Sequence, residues 1–237
     1  MKGIILAGGT GLRLQPLTLV TNKHLLPIYN KPMIYYPINT LIKMGIKNIM
    51  IVCGKESAGD FLELLGSGDK FNCNFTYRIQ EKADGIAGAI RLCEQFVNNQ
   101  NFVVMLGDNI FEGNFNNIIN KFNNGAWIFI KEVKNPNRFG VVEFDKNNTV
   151  ISIEEKPDNP KSNFAQTGLY FYDKKAFDYI RKLIPSDRGE LEVTDLNNFY
   201  LKNNQLKCKL VNGFWSDAGT FESLNISNNF IKRKYKQ

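Results

Sequence analysis

The sequence predicts an α/β fold: a single-domain, mainly parallel sheet with helices on both faces and an inserted antiparallel hairpin region. Three observations lead there. The first half alternates short apolar runs with longer amphipathic ones, the βα pattern of a parallel sheet. At 237 residues, with 43% hydrophobic and 12% aromatic content, the chain can bury one full core. No repeat, low-complexity tract or Pro/Gly-rich linker divides it, so residues 1–237 read as one domain.

The elements follow in order. Lys2–Ala7 ends in the apolar run Ile-Ile-Leu-Ala and reads as a buried strand. It feeds at once into Gly8, Gly9 and Gly11, where the backbone is free to turn and approach a ligand closely. Turned amides in such a loop make an anion site. Arg13 and Lys23 add positive charge beside it, a combination that suits a polyphosphate. Two familiar phosphate motifs do not fit. No Gly-Lys-Ser/Thr string closes a P-loop, and Leu14 stands where G-x-G-x-x-G needs its last glycine. On the glycines alone, a plain turn is an equal reading.

A helix follows over residues 32–44, a strand over 48–53, the helix Ala58–Leu65, a strand over 74–79 and a helix over 86–97. Next come the strand Phe102–Leu106, a helix over 115–122 and the strand Ala126–Glu132. Gly140–Phe144 and Val150–Glu155 flank Asp145-Lys146-Asn147-Asn148 and read as a hairpin at the sheet's edge. Phe164–Tyr172 is a further strand, 174–183 a helix and 221–232 a terminal helix. Ligands in open α/β sheets sit beyond the carboxyl ends of the strands. The glycine loop and Asp108 would both lie there.

Composition narrows the function classes. The net charge is +7, but no basic block with interleaved aromatics supports nucleic-acid binding; the densest cluster is the tail Lys232-Arg233-Lys234-Tyr235-Lys236. No run approaches a membrane span and no signal peptide opens the chain. Cys53, Cys73, Cys93 and Cys208 have no metal or redox spacing and read as small buried hydrophobes in a reducing, cytoplasmic setting.

The ordered motifs resemble those of the sugar-1-phosphate nucleotidylyltransferases. Gly8-Gly9-Thr10-Gly11-Leu12-Arg13-Leu14-Gln15-Pro16-Leu17-Thr18 matches that family's loop, followed by Lys23-His24-Leu25-Leu26-Pro27 and Lys31-Pro32. Leu106-Gly107-Asp108-Asn109 is similar to its metal-binding turn. Arg138-Phe139-Gly140-Val141-Val142-Glu143, Glu154-Glu155-Lys156-Pro157, Thr167-Gly168-Leu169-Tyr170, Arg188-Gly189-Glu190 and Thr194-Asp195 are similar to its sugar-phosphate segments, and Trp215-Ser216-Asp217-Ala218-Gly219 closes the set. The nearest branch is the thymidylyltransferases acting on glucose 1-phosphate, in the short form found in spore-coat and surface-polysaccharide synthesis.

The resemblance implies a nucleotidyltransferase domain over the whole chain, making dTDP-glucose and pyrophosphate from dTTP and glucose 1-phosphate with Mg2+, as a homo-oligomer. Arg13 and Lys23 are then the catalytic pair, neutralising charge on the triphosphate and the departing pyrophosphate. Asp108 and Asp217 are the metal ligands, hard oxygens for a cation that keeps several waters; without the resemblance, each reads as a turn or cap residue. Leu6, Gly8, Gly9, Thr10, Gly11, His24, Gln80 and Gly85 are the nucleotide-binding set, with the Gln80 amide matching the edge of thymine or uracil. Asn109, Gly140, Glu155, Lys156, Gln166, Tyr170 and Arg188 are the sugar-phosphate set. A phosphate oxygen needs no base to attack, so His24, the lone histidine, is expected to hydrogen-bond the ligand.

Three departures stand out. Leu12 replaces a hydroxyl residue, Gly88 stands where relatives carry Gln, and Gln166 replaces a typical Val beside the sugar segment. Longer relatives continue into extra C-terminal helices, so a regulatory nucleotide-sugar site is expected to be weak or absent. UTP in place of dTTP, another hexose 1-phosphate, and an inactive nucleotide-sugar-binding protein remain the alternative readings.

Overall fold

A computed structural model gives the fold and describes residues 1–147 and 149–236. The chain runs through β1 (Lys2–Ala7), β2 (Pro27–Ile28), β3 (Lys31–Pro32), α1 (Tyr35–Lys43), β4 (Asn48–Gly54), α2 (Ala58–Leu65) and β5 (Asn74–Gln80). It continues with α3 (Ile86–Arg91), α4 (Glu94–Val97), β6 (Phe102–Leu106), β7 (Ile110–Phe111), α5 (Asn116–Ile119) and β8 (Ala126–Glu132). The last stretch holds β9 (Gly140–Phe144), β10 (Val150–Glu155), β11 (Phe164–Tyr172), α6 (Ala176–Ile180), α7 (Val193–Lys202), β12 (Leu206–Leu210), β13 (Trp215–Ser216) and α8 (Phe221–Tyr235). Two compact units result. The first takes Lys2–Ala83, Met105–Lys121 and the chain from Gly213 on; the second takes Asp84–Val104 and Phe122–Asn212.

In the first unit β1, β4 and β5 run parallel, as the βα pattern requires. Ile4 to Ala7 and Ile49 to Cys53 are buried without a break, the mark of strands covered on both faces. Cover comes from Ile38 and Leu41 of α1 and Phe61 and Leu65 of α2. The register aligns Ala7 with Cys53 and Gly54 with Gln80, so the glycine loop, Gly54 and Gln80 leave the sheet at one carboxyl edge. A second core joins Leu14, Leu26, Ile28, Met33, Ile110 and Ala218 to Ile231 of α8. This apolar contact seats α8 beneath the loops that carry Arg13 and Asp217. Thr220 begins that helix with a reciprocal capping box to Ser223. The predicted helix at 32–44 begins only at Tyr35, because Lys31 and Pro32 pair back onto Pro27 and Ile28. A residue before proline is pushed into extended backbone.

The second unit departs from the parallel expectation. Its strands run in the order β10, β9, β11, with β8 on the far side of β11 and β12 on β8. β9–β10 is the predicted hairpin, and it lies at the end of that order. Asn148 of its turn falls outside the described residues. β8 and β11 are antiparallel because no α-helix of crossover length separates them among the described residues. The helix predicted over 86–97 is two helices that break at Leu92 and Cys93, and those over 115–122 and 174–183 shorten to α5 and α6. Neither α7 nor β12 was expected. Val, Thr, Asp and Asn are weak helix formers; α7 is held by burial of Val193, Thr194, Leu196, Asn197 and Tyr200. No described helix is long and apolar enough to cross a membrane.

Candidate active site

The glycine loop is shaped by what packs on it. A Cβ on Gly8 would stand 2.8 Å from Gln80 Oε1, so the glycine leaves room for that amide at the loop. Gly11 has φ 69°, a left-handed conformation that favours glycine, and its carbonyl accepts from Thr18 Oγ1 at 2.9 Å. Gly8, Gly9, Thr10, Asn22, Lys55 and Gln80 line a cavity of about 510 Å³ in the first unit. Its position at the strand ends is where an α/β sheet takes ligands. The Leu6 carbonyl accepts the Gly107 amide at 2.9 Å, tying the Asp108 turn to β1.

Lys23 packs against the loop at Gly9 and Gly11. Its Cε would lie 3.2 Å from a Cβ on Gly9. Its Nζ meets Asp108 Oδ2 at 2.5 Å, with both side chains largely buried, at 15% and 12% exposure. Asp108 Oδ1 accepts from Asn109 Nδ2 at 2.9 Å. Burial works to raise the Asp108 carboxyl, but Lys23, His24 and the Asn109 amide together hold it below its ordinary value.

Asn22 sets this loop, and sequence reasoning gave it no role. It caps the turn at Lys23–Leu25, accepting from the His24 amide at 2.9 Å and contacting His24 Nδ1 at 2.7 Å. Its Nδ2 reaches Ser57 Oγ at 3.1 Å. An Asn before a helical turn was the available signal. His24 is buried, with its ring against Gly107. Burial, then the Lys23 charge, lowers its pKa to about 3, so the ring is neutral at pH 7.

Asp217 reaches the same neighbourhood through a two-stranded ribbon. Trp215 pairs with Phe111 and Ser216 with Ile110, which carries Asp217 toward the Asp108–Asn109 end of β7. Trp215 Nε1 donates to Asn109 Oδ1 at 2.7 Å, fixing that end. A Cβ on Gly219 would lie 3.2 Å from an Arg13 guanidinium nitrogen and 3.4 Å from Asp217 Oδ2, so both groups flank Gly219. Asn109, expected among the sugar ligands, sits here with both ends of its amide engaged. Two carboxylates approaching one end of a ribbon fit a hard divalent cation that completes its shell with phosphate oxygens and water. Among the described residues no cluster of three or more metal-ligating side chains occurs.

The second unit gathers most of the predicted sugar-phosphate set. Lys156 Nζ and an Arg188 guanidinium nitrogen each lie 3.5 Å from Glu155 Oε1. Arg188 also pairs with Glu192 at 2.8 Å. Lys156 has φ 45°, a costly conformation for a non-glycine residue where the strand turns away. Tyr170 is buried beside Tyr172. Gly85 abuts Leu191: a Cβ there would stand 2.5 Å from the Leu191 carbonyl oxygen. Gly140 is explained by packing, since its Cβ would fall 2.1 Å from Gln166 Nε2. Gln166 is buried, and both ends of its amide are engaged within the protein.

Comparison with known proteins bears on these two clusters together. A glucose-1-phosphate thymidylyltransferase of Neisseria meningitidis serogroup A is 47% identical over 98% of this chain and 83% of its own length. One from Xanthomonas campestris pv. campestris is 46% identical over 98% of this chain and 80% of its own. A Bacillus anthracis structure assigned to the same activity, solved with a sucrose, superposes with TM-score 0.93 at 52% identity, covering 97% of this chain and 94% of that one. A UDP-glucose pyrophosphorylase complexed with UDP-glucose shares the fold at TM-score 0.85 and 24% identity, covering 98% of each chain. The model of the nucleotidyl transferase family matches residues 2–234, which takes in the glycine loop, both aspartates and the Glu155–Arg188 cluster alike. The chain is a member of the nucleotidyl transferase family.

Proposed function

We propose that this protein transfers the thymidylyl group of dTTP to glucose 1-phosphate, releasing pyrophosphate and dTDP-glucose. The observation that carries the reading is a glycine loop that lines a ligand-sized cavity and packs against the Lys23–Asp108 pair, with Arg13 and Asp217 flanking Gly219. The names of the relatives support the choice of nucleotide and sugar. The cavity takes the nucleotide, with the loop amides on its phosphates and the Gln80 amide toward the base edge. Arg13 meets charge that grows as pyrophosphate departs, and Lys23, held beside the loop by Asp108, neutralises phosphate charge. Glu155 accepts from a sugar hydroxyl, while Lys156 and Arg188 hold the sugar's phosphate.

The sugar-phosphate oxygen attacks the α-phosphorus as an anion, so no general base is needed. A neutral, buried His24 agrees with that. Asp108 and Asp217 would hold a divalent cation, magnesium by the family's pattern, whose chemistry is to polarise the α-phosphate and orient the leaving group. The test is product identification with dTTP, UTP, ATP and GTP, each paired with several hexose 1-phosphates and magnesium. dTDP-glucose formed at the highest kcat/KM is the expected result. Preferential UDP-sugar formation would reassign the nucleotide, and no nucleotide-sugar from any pair would leave a binding protein only.

A further inference from the structure

A line of four hydrogen bonds runs from the core of the second unit to the Glu155 carboxylate. Tyr172 OH donates to Asn197 Oδ1 at 2.6 Å, and Asn197 Nδ2 donates to Gln166 Oε1 at 2.6 Å. Gln166 Nε2 donates to Thr194 Oγ1 at 3.0 Å, and Thr194 OH donates to Glu155 Oε2 at 2.5 Å. Tyr172, Asn197, Thr194 and Gln166 are all buried, at 0%, 0%, 1% and 5% exposure.

The direction of this line is set at its outer end. An ionised carboxylate only accepts, so the single Thr194 proton must point to Glu155. Thr194 must then accept from Gln166, which turns the amide nitrogen outward and its oxygen inward. Asn197 is oriented by the same logic, and so is the Tyr172 hydroxyl. Each donor polarises the next, and burial removes competing water. One carboxylate oxygen is thereby held. The other, Oε1, keeps Lys156 and Arg188 at 3.5 Å. Gly140 belongs to the same arrangement, since a side chain there would strike both Gln166 and Thr194.

We propose that Thr194 and Gln166 are positioning residues that aim the Glu155 carboxylate at the sugar ring. Gln166 links that aim to the buried core. The inference rests on the reading of Glu155 as a sugar-hydroxyl acceptor, and the experiment separates the two. Thr194→Val keeps the shape and removes the donor; Thr194→Ser keeps the donor. Steady-state kinetics with dTTP, glucose 1-phosphate and magnesium should show KM for glucose 1-phosphate raised roughly tenfold in Thr194→Val, with KM for dTTP unchanged. Thr194→Ser should restore it to within about twofold, and Gln166→Met should follow Thr194→Val in direction.

In a Glu155→Ala background, Thr194→Val should have no further effect, because its target is gone. Additive effects in that double variant, or an unchanged sugar-phosphate KM in Thr194→Val, overturn the positioning role. If Thr194→Val does not fold, Gln166→Met in the two backgrounds decides by the same criterion. A sugar-phosphate KM left unchanged by Glu155→Ala alone overturns the reading of Glu155 itself.

Discussion

Lys23–Asp108 in the first unit and Arg188–Glu155–Lys156 in the second are both groups of opposite charges, yet they are held differently. The first is one pair, 15% and 12% exposed, fixed by a capped turn on one side and a strand end on the other. The second is half-open, with Lys156 at 44% and Arg188 at 41%, and its carboxylate is held from behind by neutral hydrogen bonds. Breaking a buried pair leaves an uncompensated charge. A solvent-screened cluster changes partners at small cost. The first arrangement suits charges that must be in place for chemistry. The second suits a phosphate that comes and goes.

The largest test of this contrast is at the two aspartates. Asp108→Asn and Asp217→Asn should each lower turnover on the order of 10²–10³-fold at saturating substrate and magnesium. Asp108→Asn should also cost about 1–3 kcal/mol of stability in urea unfolding, because Lys23 loses its counter-charge. Full turnover of either variant, or of the wild type in excess chelator, would remove the metal assignment.

Arg13→Ala comes next. Its guanidinium is expected to serve the transition state, so single-turnover rates should fall about a hundredfold while dTTP affinity changes little. A change confined to affinity would make Arg13 a ground-state contact.

Smaller still are Lys156→Ala and Arg188→Ala. Each should raise KM for glucose 1-phosphate roughly tenfold, with little change in dTTP KM or melting temperature. Equal changes in both Michaelis constants would erase the distinction between the clusters.

The last test concerns pH. His24 is the only histidine, and folding lowers its pKa to about 3 from an ordinary 6.5. The unfolded chain therefore binds the extra proton first as pH falls. The contribution is complete above pH 6.5 and is lost on descending toward 3, with a slope up to about 1.4 kcal/mol per pH unit. Urea titrations of the wild type and His24→Gln between pH 7.5 and 5 should diverge only in slope; parallel curves would show a histidine already free to charge.

Much of the first unit was legible because its signals are local. Continuous apolar runs mark strands buried on both faces, and a glycine loop after such a run marks a turn at a carboxyl edge. Arg13, Lys23, Asp108 and Asp217 were singled out by ordered motifs; the fold pairs Lys23 with Asp108 and sets Arg13 and Asp217 about Gly219. The second unit was less legible. α7 is mostly weak helix formers, so packing rather than propensity decides it, whereas the alternation of lysine with apolar residues in β12 is a period-two strand signal that the sequence did carry.

The sequence by itself determined the α/β pattern and the glycine loop that follows β1, because each rests on neighbours within a few positions. Only the tertiary structure decided that β8 and β11 run antiparallel, that Lys23 is paired with a residue 85 positions away, and that Gln166 turns inward to Asn197 and Thr194. Those facts depend on which donors and acceptors burial brings together, and a buried polar group must find its partner wherever the chain supplies one.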